Sequence, residues 1–144
     1  VTTGPVSVEE GYAAFSEKIP DFERYRKKKQ IEILSSKEWY LCGNPLDPGG
    51  LIKKFREAVD GALSRKLAGM RAAGGLHKLD PHHWRLMLQY EESIHKEFPR
   101  FKAIALCTYS LPNCPLKNIS KVIDCHHKTF LKKGWQWEVV TGLP

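Results

Sequence analysis

A three-layer α/β domain with a mainly parallel sheet, closed by a C-terminal antiparallel hairpin, is the fold class that three features of this 144-residue sequence predict. Helix-like and strand-like periods alternate along most of the chain, the pattern of stacked βαβ units. The stretch 101–109, Phe-Lys-Ala-Ile-Ala-Leu-Cys-Thr-Tyr, is nearly continuous in apolar residues, as a central strand with helices on both faces requires. Strict alternation on either side of Gly134, in Thr129-Phe-Leu131 and Trp135-Gln-Trp137-Glu-Val139, marks a hairpin at the sheet edge. Right-handed crossovers are the default for the connections.

The elements follow in order. Ser7-Val-Glu-Glu10 has the spacing of a capping box and opens a helix whose stripe is Tyr12, Phe15 and Ile19, stopping before Pro20. A second short helix runs through Phe22 and Tyr25 into a basic run. Gln30 to Ser35 is β-branched and apolar enough for a strand. Gly43 to Gly50 is rich in turn residues and is expected to be a loop. Leu51, Phe55, Val59, Ala62 and Leu63 then recur at helical spacing up to about Leu67. Ala68 to Gly74 is a strand of small residues. Asp80-Pro81 starts a helix, with Asp80 as N-cap and Pro81 in the first turn. Trp84, Leu88, Glu91 and His95 share one face of it, and it ends near Pro99. Leu116, Ile119, Val122 and Ile123 mark a last helix.

Length and composition bound the rest. One core, and hence a single domain over residues 1–144, is what this length sustains. With 42% hydrophobic residues the chain can bury enough apolar surface to fold. No apolar run approaches the ~18–20 residues of a membrane span, and no signal-peptide pattern is present, so a cytoplasmic setting without membrane contact is expected. The start at Val1, in a strand-like segment, suggests a fragment of a longer protein. The formal charge is +7. The excess is dispersed over 24–29, 53–54, 65–66, 128 and 132–133, often where cations face the negative end of a helix dipole. Solvated helix ends explain it better than a nucleic-acid interface. Cys42, Cys107, Cys114 and Cys125 form no C-x-x-C pair, which favours reduced thiols over a disulfide framework.

Three strand ends are expected to open on one side of the sheet, where ligands of α/β folds bind. They carry Ser35 to Tyr40, Gly74 to His77 and Cys107 to Ser110. From these ends and from the inward face of the Trp84 helix, the candidate ligand site is Glu38, Trp39, Tyr40, Tyr90, Glu91, Cys107 and Tyr109. Aromatic rings with few polar anchors suit a small, partly apolar ligand. The plainer alternative is that Trp39 and Tyr40 plug the end of the core and that Glu91 makes a structural ion pair. Metal or haem ligation by Cys107, Cys114, Cys125 and His126 is a further alternative, although C-x6-C-x10-C-H-H fits no zinc ribbon or finger. There is no G-x-x-x-x-G-K-S/T, and Gly74-Gly75 lacks the lysine and hydroxyl that phosphate binding needs. No catalytic triad or carboxylate pair stands out, so a non-enzymatic role is expected.

With these segments in view the chain resembles the MEDS domain, the methanogen/methylotroph sensory domain. The matching stretches are Gln30-Ile-Glu-Ile33, Lys37-Glu-Trp-Tyr-Leu41, Gly69-Met-Arg71 with Gly74, Gln89-Tyr-Glu91, Ala105-Leu-Cys-Thr-Tyr109, Cys114, His126 and Trp137-Glu-Val139. Their order and spacing extend from about Val8 to Val140. The resemblance implies a sensory module of prokaryotic histidine kinases and transcriptional regulators. It also implies a fold related to RecA-like ATPases without their phosphate loop, and ligands that are small hydrocarbon derivatives. There are two departures: the usual first strand and helix are lacking, and Gly75-Leu76-His77 replaces the Gly-Asp or Gly-Glu common after Gly74.

The expectation is therefore a small-molecule sensor domain, read by the output domain of a two-component or regulatory protein. An edge or layer left uncovered by the short start is expected to pair with a second copy, as a homodimer. A metal-, haem- or thiol-based redox sensor and a protein-interaction module are the alternatives. The sequence names no cofactor.

Overall fold

The computed structural model describes residues 2–3, 6–40, 46–75 and 79–140. The fold is mixed α/β, with parallel strand pairs and one antiparallel hairpin. Strand β1 (Thr2–Thr3) leads into α1 (Val8–Lys18). The capping box is reciprocal: Ser7 Oγ accepts from the Glu10 N–H at 3.1 Å, and the Glu10 carboxylate accepts from the Ser7 N–H at 2.8 Å. Asp21, in the left-handed region, turns the chain into α2 (Phe22–Lys27), and Phe22 packs under the rings of Tyr12 and Phe15.

The strand expected over Gln30–Ser35 is shorter. Only Leu34–Ser35 forms β2, and its parallel partner is β1, with Thr2 opposite Leu34. Its start is delayed because Lys29 takes a positive φ and the N–H of Gln30 donates back to the carbonyl of Tyr25, completing the end of α2. Its end is abrupt because Ser35 caps the next helix, α3 (Ser36–Tyr40).

Helix α4 (Pro48–Ser64) begins earlier than the turn-rich sequence suggested. Asp47 is its N-cap, accepting from the Gly49 N–H at 3.1 Å, so Gly49 and Gly50 lie in the first turn rather than in a loop. The first part of the expected loop, Gly43 to Pro45, lies outside the described residues, as do Leu76 and His77. Leu51, Phe55, Val59 and Ala62 form the buried stripe of α4.

Strands β3 (Met70–Gly74) and β4 (Ala103–Cys107) pair in parallel, Met70 opposite Ala103 through Gly74 opposite Cys107. Gly69, at φ 149°, allows the close approach at the start of this pair, because a Cβ there would strike the carbonyl of Lys102. Strand β1 also lies beside β3. Between β3 and β4 runs α5 (Pro81–Glu97), opened as expected by Asp80, whose Oδ1 accepts from the His83 N–H at 2.9 Å.

Helices α4 and α5 pack together on one face of β3–β4. Phe55, Val59, Met87, Tyr90 and Ile94 make the main core, joined by Met70, Ala72 and Ala103 from the strands. The other face of β4 is open: Ile104 is 63% and Leu106 56% exposed. This corrects the expectation that helices cover both faces of the apolar strand. A second small core joins Trp84 and Leu88 of α5 to Cys114 and to Val122 of α6 (Leu116–Asp124).

The hairpin is as expected: β5 (Thr129–Lys133) and β6 (Gln136–Val140) are antiparallel, with Leu131 opposite Glu138 and Gly134 at φ 58° in the turn. Among the described residues it pairs only with itself and so does not close the edge of the parallel strands. Trp135 stands 94% exposed.

Candidate functional site

A cleft of about 290 Å³ opens between the segment 29–34 and strand β3. It is lined by Trp39 and Tyr40 of α3, by Phe55, Ala58 and Ala62 of α4, by residues 69–74 with Ala105 to Cys107, and by Tyr90 of α5. Each ring is placed by a local cause. The capping box of α3 starts the helix at Ser36, which sets Trp39 and Tyr40 on its last turn. The ammonium of Lys54, one turn before Ala58, donates to the carbonyls of Glu38 at 2.7 Å and Trp39 at 3.1 Å and lies 4.8 Å from the Trp39 ring centre. It thereby ties the end of α3 to α4.

Four of the seven residues expected in the ligand site, Trp39, Tyr40, Tyr90 and Cys107, line this cleft. Glu38 is placed elsewhere. Its carboxylate accepts from the N–H and hydroxyl of Ser35, both at 2.8 Å, and these bonds hold its pKa below the usual range. It is exposed and serves as the N-terminal clasp of α3.

Glu91 and Tyr109 meet in a second group beside the cleft. The Tyr109 hydroxyl donates to Oε1 of Glu91 at 2.5 Å, and His126 Nε2 lies 3.8 Å from Oε2. Tyr109 is held between the Trp84 ring, stacked at 6.3 Å, and the His126 ring, edge-on at 6.2 Å. Glu91 is 2% exposed. Burial raises its pKa, against the lowering by Tyr109 and His126. Burial likewise pushes the Tyr109 and Tyr90 phenols up, and the Cys107 thiol up to about 12, with Glu91 adding to each. All three are neutral donors at neutral pH.

Cys107 belongs to both groups. Its sulfur, a carboxylate oxygen of Glu91 and a ring nitrogen of His126 lie within 4.8 Å of one another. The structure thus unites Cys107 and His126 from the cysteine–histidine alternative, adds Glu91, and leaves two members out. Cys114 is buried beside Trp84, and Cys125 caps α6. Cys107, Cys114 and Cys125 are free thiols. Sequence reasoning did not join His126 to Glu91. The available signal was the inward stripe of Trp84, Leu88 and Glu91, which asks for a polar partner.

In comparisons with known proteins, the profile of the MEDS family, the methanogen/methylotroph, DcmR sensory domain, matches residues 1–127. No curated protein and no solved structure matches the chain. The matched span contains α1 through α6, the cleft and the whole Glu91 group, and ends just before the hairpin. The chain belongs to the MEDS family of sensory domains.

Proposed function

We propose that this domain is a non-enzymatic, cytoplasmic small-molecule sensor of a prokaryotic signalling protein, a histidine kinase or a transcriptional regulator. The observation that carries the reading is the cleft in which Trp39, Tyr40, Tyr90 and Cys107 converge from two helices and a strand. Its volume and aromatic lining suit a compact hydrocarbon derivative with one polar group, which a phenol or the thiol would anchor. Occupancy shifts the domain between two conformations to the extent that the ligand prefers one of them. The output domain of the parent protein reads that shift. The same reading takes the parallel pairs as parts of one three-layer, RecA-like sheet. It also takes the exposed Ile104 and Leu106 as surface that a second copy covers in a homodimer.

The test is native mass spectrometry of the purified chain, followed by thermal-shift measurements with short-chain alcohols, amines, thiols and halides. A bound small molecule, or a compound that raises the melting temperature of the wild type but not of Ala58→Trp, is the expected result. If no compound distinguishes the wild type from the filled-cleft variant, the reading fails.

A further inference from the structure

The group beside the cleft has donor chemistry that a purely organic ligand does not use. Glu91 comes from α5, Cys107 from the end of β4, and His126 from the turn after α6. No helical repeat brings them together; the packing of three separate elements does. We propose that Glu91, Cys107 and His126 form a binding site for a single borderline divalent cation of the zinc or cobalt class.

The donor set points to that class. One thiolate, one imidazole and one carboxylate are the ligand types of zinc-like ions, whereas calcium and magnesium take oxygen alone. The spacing is close to what such an ion needs. Donors around a tetrahedral zinc stand ~3.5 Å apart, and here the three fall within 4.8 Å, with His126 Nε2 and Glu91 Oε2 at 3.8 Å. Rotations of side chains by about an ångström close the remainder.

The imidazole is already oriented for the task. Its Nδ1 lies 2.6 Å from the carbonyl oxygen of Val122, which can only accept, so Nδ1 carries the proton. In the neutral ring this leaves the lone pair on Nε2, the nitrogen that faces Glu91. A backbone carbonyl holding the far nitrogen is the usual outer-shell support of a metal-binding histidine. Tyr109 does the same for the carboxylate, donating to Oε1 and leaving Oε2 on the histidine side. Glu91 is buried, with Cys107 and His126 partly so. The Cys107 thiol is neutral until a dication binds; it then loses its proton to solvent, and the ion supplies the positive charge that a buried thiolate and carboxylate require. Three protein donors leave a four-coordinate ion one position for water.

This site is separate from the organic-ligand reading except for the shared sulfur of Cys107. The test titrates the full chain, kept reduced without a chelating thiol, with Zn²⁺ by calorimetry and with Co²⁺ by absorbance. One ion per chain is expected, with a thiolate-to-cobalt charge-transfer band and strong visible bands of a four-coordinate site. Affinity should fall at least about tenfold in Cys107→Ser, His126→Gln and Glu91→Gln, and about tenfold in Tyr109→Phe. Cys114→Ser, Cys125→Ser and the cleft-filling Ala58→Trp should bind as the wild type does, so failure of the cleft reading leaves this result intact. Circular dichroism identifies any variant that does not fold, and the partly buried His126→Gln serves where Glu91→Gln fails. Unchanged affinity in both Cys107→Ser and His126→Gln, loss in Cys114→Ser or Cys125→Ser instead, or a cobalt spectrum without the thiolate band would overturn the proposal.

Discussion

The hydroxyl of Tyr109 and the carboxylate of Glu91 are joined by a 2.5 Å hydrogen bond across the gap between the loop after β4 and the middle of α5. The bond spans 18 residues of sequence and reaches a carboxyl group that is 2% exposed. Replacing Tyr109 by Phe keeps the ring stacked on Trp84 and removes only the donor. The expected cost is about 1.5–3 kcal/mol, the range for a hydrogen bond to a charged group. Urea unfolding of the two proteins at neutral pH measures it; a loss below a few tenths would mean that Glu91 finds a replacement donor.

The open face of β4 contrasts with the face covered by α4 and α5. At concentrations where the protein is monomeric, Ile104→Ser should change stability by no more than about 0.5 kcal/mol, as an exposed substitution does, while weakening the proposed homodimer. Met87→Ala, at a residue 2% exposed between α4 and the strands, should cost about 2–5 kcal/mol. Thermal or denaturant melts of both variants decide the matter. A large cost at Ile104 in the monomer would reveal a covering layer from another part of the chain.

Gly69 is expected to tolerate no side chain. Its φ of 149° is one that L residues avoid, and a Cβ would meet the Lys102 carbonyl, which accepts the N–H of Met70. Gly69→Ala should destabilise the β3–β4 pair by about 1–3 kcal/mol. Amide exchange should show the loss first in Met70 and its neighbours.

Two helix caps give the fold an acid-sensitive component. Asp80 is held below its usual pKa by the backbone N–H and then the ring of His83, and Glu38 by the backbone and then the hydroxyl of Ser35. A carboxylate depressed in the folded state contributes stability that is present above its unfolded pKa and disappears as pH falls through the folded one. The unfolded references are 3.8 for Asp80 and 4.5 for Glu38. Melting temperature should therefore drop between about pH 5 and about pH 2, and the drop should be shallower in Asp80→Ala and Glu38→Gln. Parallel slopes in wild type and variants would exclude the caps as its source.

Local rules written in few residues were the legible part of this fold. Ser7-x-x-Glu10, Asp80-Pro81 and the alternation around Gly134 each produced the element expected. The same rules were also present, unread, at Ser35-x-x-Glu38 and Asp47-Pro48. Read as a capping box, the first would have taken Glu38 out of the ligand site; read as a cap, the second would have started α4 three residues earlier. Sheet organisation was less legible, because it depends on partners far along the chain. Nothing within Gln30–Ser35 says that β1 lies next to it, and nothing within 101–109 says that Ile104 and Leu106 face outward. The site fell between these cases. The stripe of Trp84, Leu88 and Glu91 on α5 pointed to a buried Glu91, while the meeting of Cys107 with His126 required the packing of α6 against α5.

One sulfur atom stands in two places at once, on the wall of the cleft and within reach of Glu91 and His126. An ion held by that sulfur and a molecule resting against it are then not independent events. Whatever factor the ion applies to the affinity of the molecule, the molecule applies to the affinity of the ion, because the four occupancy states close a thermodynamic cycle. Cys107 would thus let the cell's metal supply set the threshold at which a compound is noticed, with no contact needed beyond a single shared atom.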